Sequence, residues 1–234
     1  MLVLFDIDGT LLRTAGAGVR AMNQTARAVV APHASLDGVD TAGRLDPLIV
    51  MDVHRNAGVP FTDQAHRAFR AEYARRMPEH LAASVEARAM PGVTELVTEL
   101  AAIGGVTLGL LTGNYQETGL MKLGRVGIDP EPFVVNAWGD DSGSDPPTRD
   151  DLPRAAMERY AQARGRPIPA EDVLIIGDTP HDVRCARVNG CRVLAVATGS
   201  FSVIQLATAG ADAAVSSLAD TPATLRWIID RRAR

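Results

Sequence analysis

Asp6 and Asp8 stand two positions apart at the end of the apolar run Leu2-Val3-Leu4-Phe5, and Gly9 and Thr10 follow. Two carboxylates this close repel each other unless a cation lies between them. The natural candidate is a hard divalent ion with oxygen ligands. Taken alone, the pair also fits a plain strand followed by an acidic turn. A third acid, Asp178, ends the run Val173-Leu174-Ile175-Ile176-Gly177 in the same manner, and Asp182 lies four residues further on. Asp182 reads either as a ligand or outer acceptor of the same site, or as a helix N-terminal acid favoured by the dipole. Thr112 and Asn114 follow the apolar segment from Val106 to Leu111. A hydroxyl and backbone N–H groups at a strand-to-helix turn suit a phosphate oxygen, and the same geometry caps a helix.

These residues need a scaffold that gathers them. Short apolar runs bounded by turn residues read as buried parallel strands, and ligands of open α/β sheets bind outside the carboxyl ends of the strands. Adjacent strands would therefore bring Asp6 and Asp178 to one edge. From residue 91 onward the pattern alternates: helix to Ala102, strand 106–111, helix 116–126, short strand 132–136, polar loop 139–148. It continues with helix 151–164, strand 173–177, helix 182–189, strands 192–197 and 213–215, and a terminal helix 222–232. Residues 15–83 contain helical patterns at 19–30, 47–57 and 62–77, with Thr62 as an N-cap, and no convincing strand. Gly16 and Gly18 at the start of that block suit a hinge. The expected fold is α/β: a doubly wound, Rossmann-like parallel-sheet core from residues 1–14 and 84–234, with an all-helical cap of residues 15–83 inserted after the first strand.

Composition narrows the classes. The chain has 234 residues, 46% apolar and 22% charged, with a net charge of -4. That balance is typical of globular proteins and offers no basic field to nucleic acid or anionic membrane. Lys122 is the single lysine among 24 lysines and arginines. The N-terminal apolar run is too short for a secretory signal, and the stretch 101–111 is broken by Gly104, Gly105 and Gly109. A cytoplasmic protein, monomer or homodimer, is expected. Cys185 and Cys191 read as buried thiols rather than a disulfide or metal pair.

Asp6-x-Asp8-Gly9-Thr10-Leu11 resembles the first motif of the haloacid dehalogenase superfamily, in its phosphoglycolate phosphatase-like subgroup with an inserted helical cap. Leu110-Leu111-Thr112-Gly113-Asn114 resembles the second motif, Arg149 lies where the third motif's basic residue is expected, and Ile175-Ile176-Gly177-Asp178-Thr179-Pro180-His181-Asp182 resembles the fourth. The resemblance spans essentially the whole chain. It implies a magnesium-dependent phosphatase acting on a small phosphorylated metabolite, a sugar or organic acid phosphate. Asp6 would be the nucleophile, Asp8 the general acid/base, and Thr112, Gly113 and Asn114 would bind the phosphate. Magnesium would lie among Asp6, the Asp8 carbonyl, Asp178 and Asp182. Many relatives have lysine followed by proline where this chain has Arg149, and Arg154 is the rival for that role. Gly43-Arg44-Leu45-Asp46 resembles the cap loop over the active site. Arg44 would there bind a second anionic group, or else form an exposed pair with Asp46. A phosphomutase of the beta-phosphoglucomutase type is the alternative function. A non-catalytic binding protein on the same fold is a weaker one, since Asp6, Asp8 and Asp178 are all present.

Overall fold

The computed structural model describes residues 1–230. Its centre is a six-stranded, all-parallel sheet built from β1 (Leu2–Phe5), β4 (Thr107–Leu111), β5 (Phe133–Ala137), β6 (Val173–Gly177), β7 (Arg192–Val196) and β8 (Ala213–Val215), in the order β5-β4-β1-β6-β7-β8. The first strand therefore lies in the middle, paired with β4 on one side and β6 on the other. Its four residues are completely buried, as a strand covered on both faces must be.

Side chains alternate across a strand, and two cores follow from that. Val3, Phe5, Leu108, Leu110, Leu174 and Ile176 face α4 (Val93–Ala102), α5 (Gln116–Arg125) and α9 (Thr221–Ile229). Leu2, Leu4, Leu111, Val173 and Ile175 face α6 (Leu152–Arg164), α7 (Pro180–Val188) and α8 (Val203–Thr208). Gly109 is required where β4 meets β5, because a Cβ there would lie 1.7 Å from the Val135 carbonyl oxygen. The register between these strands shifts at that point.

A third cluster belongs to α1 (Ala17–Val29), α2 (Asp46–Asn56) and α3 (Asp63–Ala82). Ala17, Ala21, Met22 and Ala26 of α1 pack against Phe69, Tyr73 and Met77 of α3, where small residues let the aromatic rings approach. Tyr115, just before α5, closes this cluster from the sheet side. Thr62 caps α3 by accepting from the Ala65 N–H, as its sequence position predicts.

Several expectations need correcting. Helix α3 runs to Ala82 rather than ending at Met77, and it carries Pro78 inside it. Burial of Leu81 against the helical cluster holds the last turn in spite of the lost donor. A two-stranded antiparallel ribbon, β2 (Leu12–Arg13) with β3 (Arg88–Ala89), was not legible, nor was α8. The ribbon ties together the two places where the chain leaves and re-enters the sheet layer. The expected terminal helix is observed as Thr221–Ile229, and its predicted end at 231–232 lies outside the described residues. Among the described residues no helix is long and apolar enough to cross a membrane.

Candidate active site

The carboxyl ends of β1, β4 and β6 deliver Asp6, Thr112 and Asp178 to one edge of the sheet, and the strand pairing sets their spacing. The Asp6 N–H donates to the Ile176 carbonyl at 2.9 Å, which continues the ladder one residue past the strand. Asp178 is fixed by Thr10, whose hydroxyl donates to its Oδ1 at 3.1 Å. Two glycines leave room for that carboxylate: a Cβ on Gly9 or Gly199 would lie 2.4 or 1.7 Å from Asp178 Oδ2. Gly9 also has φ of 84°, in the left-handed region that glycine tolerates.

Asp182 caps its helix and also turns toward the other acids. Its Oδ2 accepts from the N–H and hydroxyl of Thr179, at 3.0 and 2.7 Å, and closes the N-terminus of α7 in a capping box. Its Oδ1 turns inward, and oxygens of Asp6, Asp178 and Asp182 lie within 4.8 Å of one another, all buried. The Asp8 carboxylate is not in this group.

Arg149 reaches the same point from a single 3₁₀ turn, Arg149–Asp151, which follows the polar loop. Its Nη2 donates to Asp6 Oδ1 at 3.0 Å and to Asp182 Oδ1 at 2.5 Å, and its Nη1 donates to the Gly43 carbonyl at 3.2 Å. Its Nε, also buried, has no protein partner among the described residues. Arg154 points away: its side chain is 64% exposed and sits 3.7 Å from Asp151. The geometry thus separates the two arginines that sequence left in competition.

Asp8 is held apart by Lys122, a residue that no motif in the sequence places in the site. The Lys122 ammonium donates to Asp8 Oδ2 and to Asn114 Oδ1, both at 2.5 Å, while Asn114 Nδ2 donates to Asp8 Oδ2 at 2.9 Å and to Thr112 Oγ1 at 2.8 Å. Lys122 is on α5, two turns beyond Asn114, and is almost fully buried. The available signal was its being the sole lysine in an arginine-rich chain. The Thr112 hydroxyl, fully buried, is tied into this network through Asn114.

The loop Gly43–Asp46 covers the site. A Cβ on Gly113 would lie 2.0 Å from the Arg44 carbonyl oxygen, so the two backbones touch. The Asp46 N–H donates to the Gly113 carbonyl at 2.7 Å, and Asp46 Oδ2 accepts from the Tyr115 N–H at 2.9 Å. Asp46 is therefore buried and does not pair with Arg44. The Arg44 guanidinium instead donates to Asp52 at 2.6 Å, and the exposed Arg44–Asp46 pair is absent. These residues enclose a cavity of about 470 Å³ whose walls include Asp6, Asp8, Thr112, Asn114, Lys122, Arg149 and Asp178.

Crowding shows in the acidities. Burial pushes the Asp6 carboxyl up from 3.8 to about 7 against the pull of Arg149, and neighbouring Asp182 and Asp8 add to the rise. Asp178 is pushed up to about 8 by burial, then by Asp6 and Asp182. Burial alone would lower Arg149, but Asp182 and Asp6 more than reverse this and hold it firmly protonated. One guanidinium cannot neutralise three buried carboxylates, and a doubly positive ion with a taste for oxygen would complete the balance. The donor set fits magnesium on those grounds. Cys185, beneath Arg149, is buried and its thiol is pushed well up; Cys191 is pushed up by burial to about 11, so both behave as inert core thiols.

A family model for haloacid dehalogenase-like hydrolases matches residues 3–187. A phosphoglycolate phosphatase of Nitrosospira multiformis is 30% identical over 220 residues, covering 92% of this chain and 91% of the relative. The crystal structure of a hydrolase from Pseudomonas syringae superposes with a TM-score of 0.72 at 23% identity, covering 97% of this chain and 98% of that one. CbbY from Rhodobacter sphaeroides, solved with phosphate, gives a TM-score of 0.66 at 22% identity, covering 94% and 95%.

Proposed function

The chain belongs to the haloacid dehalogenase-like hydrolases, and from that premise we propose that it is a magnesium-dependent phosphatase of small phosphomonoesters working through a phosphate ester of Asp6. The observation that carries the reading is the buried Arg149 guanidinium, joined to Asp6 and Asp182 beside Asp178. This is a site with a nucleophile, a fixed positive charge and a place for a divalent ion. Asp6, Asp178 and Asp182 would hold that ion, with the Asp8 carbonyl as the family resemblance implies. When bound it supplies charge neutralisation at the phosphoryl oxygens.

Arg149 occupies Asp6 Oδ1, which leaves the second oxygen to attack phosphorus. The P–O ester bond breaks as the new P–O bond to Asp6 forms, and hydrolysis is split into two easier steps. Asp8 gives its proton to the departing alkoxide oxygen. It then takes a proton from the water that attacks the phosphorus of the aspartyl phosphate, which frees inorganic phosphate and restores Asp6. Lys122 and Asn114 fix the direction of the Asp8 carboxylate. Thr112, Gly113 and Asn114 line the cavity at a strand-to-helix turn, where a hydroxyl and backbone N–H groups suit the phosphoryl oxygens. Residues 15–83 act as the cap that excludes bulk water during transfer. The name of the Nitrosospira relative favours an organic acid phosphate as substrate.

The test is hydrolysis of p-nitrophenyl phosphate by wild-type protein and Asp6→Asn, with and without magnesium. Loss of at least about three orders of magnitude in the variant is expected, since the covalent route disappears. Undiminished turnover by a folded Asp6→Asn protein rejects the mechanism. Product analysis with a hexose phosphate separates hydrolysis from return of the phosphoryl group to the sugar.

A further inference from the structure

The ribbon at the mouth of the cavity carries a charge arrangement that the phosphoryl chemistry does not use. Arg13 on β2 and Arg88 on β3 are directly paired residues of an antiparallel ladder, and both line the active-site cavity. Paired positions of such a ladder hold their Cβ atoms about 4.5–5.5 Å apart, and like charges placed there are destabilising. Neither arginine is neutralised. Arg88 donates only to the Glu86 backbone carbonyl, at 3.2 Å, and Arg13 has no hydrogen bond or ion pair among the described residues. Glu86 also lines the cavity, yet its carboxylate forms an ion pair with neither arginine.

The position follows from the catalytic turn itself. The Gly9 N–H donates to the Leu12 carbonyl at 2.8 Å, and Asp8 bridges Leu12, so the chain that leaves the nucleophile strand folds straight back. Arg13 is the next residue, and it is exposed. Arg44, for which the sequence allowed either a second anion or a pair with Asp46, donates to Asp52 instead of Asp46. The same cavity lining also includes the apolar side chains Val19, Met22, Ile49 and Tyr73.

Resting on the phosphatase reading above, we propose that Arg13 and Arg88 form a second anion site that receives a carboxylate at the far end of the substrate. The ribbon is then the element that selects the organic acid phosphate proposed above over a phosphate of a neutral sugar or polyol. The substrate's charge removes the repulsion between the two guanidinium groups, and a planar fork matches a carboxylate well.

The test compares kcat/KM for 3-phosphoglycerate and glycerol 3-phosphate, which differ at the distal end by a carboxylate against a hydroxymethyl group. Wild-type protein is expected to favour the acid by about tenfold or more, the scale of one charge-assisted hydrogen bond. That ratio should fall about tenfold in Arg13→Gln and in Arg88→Gln, through KM for the acid, and Arg13→Lys should recover part of it. A ratio near one in the wild type, or a ratio unchanged in both variants, overturns the proposal. Both side chains are exposed, and the ratio cancels any general loss of active protein. Failure of the phosphatase reading itself would appear separately, as turnover that survives Asp6→Asn.

Discussion

Replacing Arg149 by methionine removes the positive charge that pairs with Asp6 and Asp182 beside Asp178, while keeping most of the side-chain volume. Arg149 is 6% exposed, and Asp6 and Asp182 are 5% and 0% exposed. Removing one partner of a buried ion pair costs about 3–5 kcal/mol, because the remaining charges are left uncompensated. The cost must depend on pH. Asp6 and Asp178 already titrate near 7 and 8 in the folded protein, so at pH 6 both are largely protonated and part of the penalty vanishes. At pH 9 the wild-type carboxyls are ionised beside Arg149, whereas in the variant that guanidinium's lowering pull is gone and their ionisation is opposed, so the penalty is larger. Urea unfolding of wild-type and variant protein, both free of divalent ions, reads this directly. The expected loss is about 3–5 kcal/mol at pH 9 and clearly less at pH 6. For a chain of this length that corresponds to a melting point lower by roughly 10 °C at the higher pH. Magnesium should recover part of the loss in stability but not the activity, because the fixed charge on the transferring group is still missing. A destabilisation below about 1 kcal/mol at both pH values would show that Arg149 is not the electrostatic keystone described here.

Other expectations concern the same neighbourhood. Lys122→Gln leaves Asp8 without its charged anchor, and kcat for p-nitrophenyl phosphate should fall about ten- to a hundredfold with little change in KM; an unaltered kcat would disprove the orienting role. In Gly113→Ala the new methyl group would meet the Arg44 carbonyl at 2.0 Å, so activity should drop at least about tenfold while circular dichroism retains the fold; a fully active alanine variant would show that the loop seat does not matter. In metal-free wild-type protein, Asp6, Asp46 and Asp178 keep protons that the unfolded chain releases near pH 3.8. The native state binds the excess protons, so their contribution is complete below about pH 4 and is lost as pH rises through 7 to 8. Added magnesium should therefore raise the melting temperature more at pH 8 than at pH 5, and an equal effect at both would contradict the assignment. Arg70 joins Glu117 and Asp140 from α3 at 3.0 and 2.6 Å, but these groups are substantially exposed. Arg70→Ala should accordingly cost no more than about 1 kcal/mol in urea unfolding.

The parallel strands were readable because complete burial leaves uninterrupted apolar runs, as in Val173–Gly177. Asp6, Thr112 and Asp178 were readable for a related reason: polar side chains that end such runs must emerge at the same sheet edge. The two-residue strands β2 and β3 were not, since so few residues have no periodicity, and their pairing joins positions 12 and 89. Helix α8, six residues long with a Ser202 cap, was likewise too brief to register. The helical pattern over 62–77 stops just before Pro78, yet tertiary burial of Leu81 carries the helix past it. Lys122 and Asp46 act on partners more than 60 residues away, Asp8 and Tyr115. No local pattern marks such reach. Arg44 pairs not with Asp46 but with Asp52, a partner two helical turns further along that no local pattern marks.

Asp46 also bears on how the enzyme rests between turnovers. It caps the beginning of α5 from another part of the chain, accepting the Tyr115 N–H, while its own N–H is spent on Gly113. Displacing the loop Gly43–Asp46 would strip α5 of the cap, a loss worth about 1 kcal/mol for an ordinary helix, and α5 is the helix that carries Lys122 to Asp8. On the proposed function, an open conformation would be both disfavoured and less well aligned for the next ester.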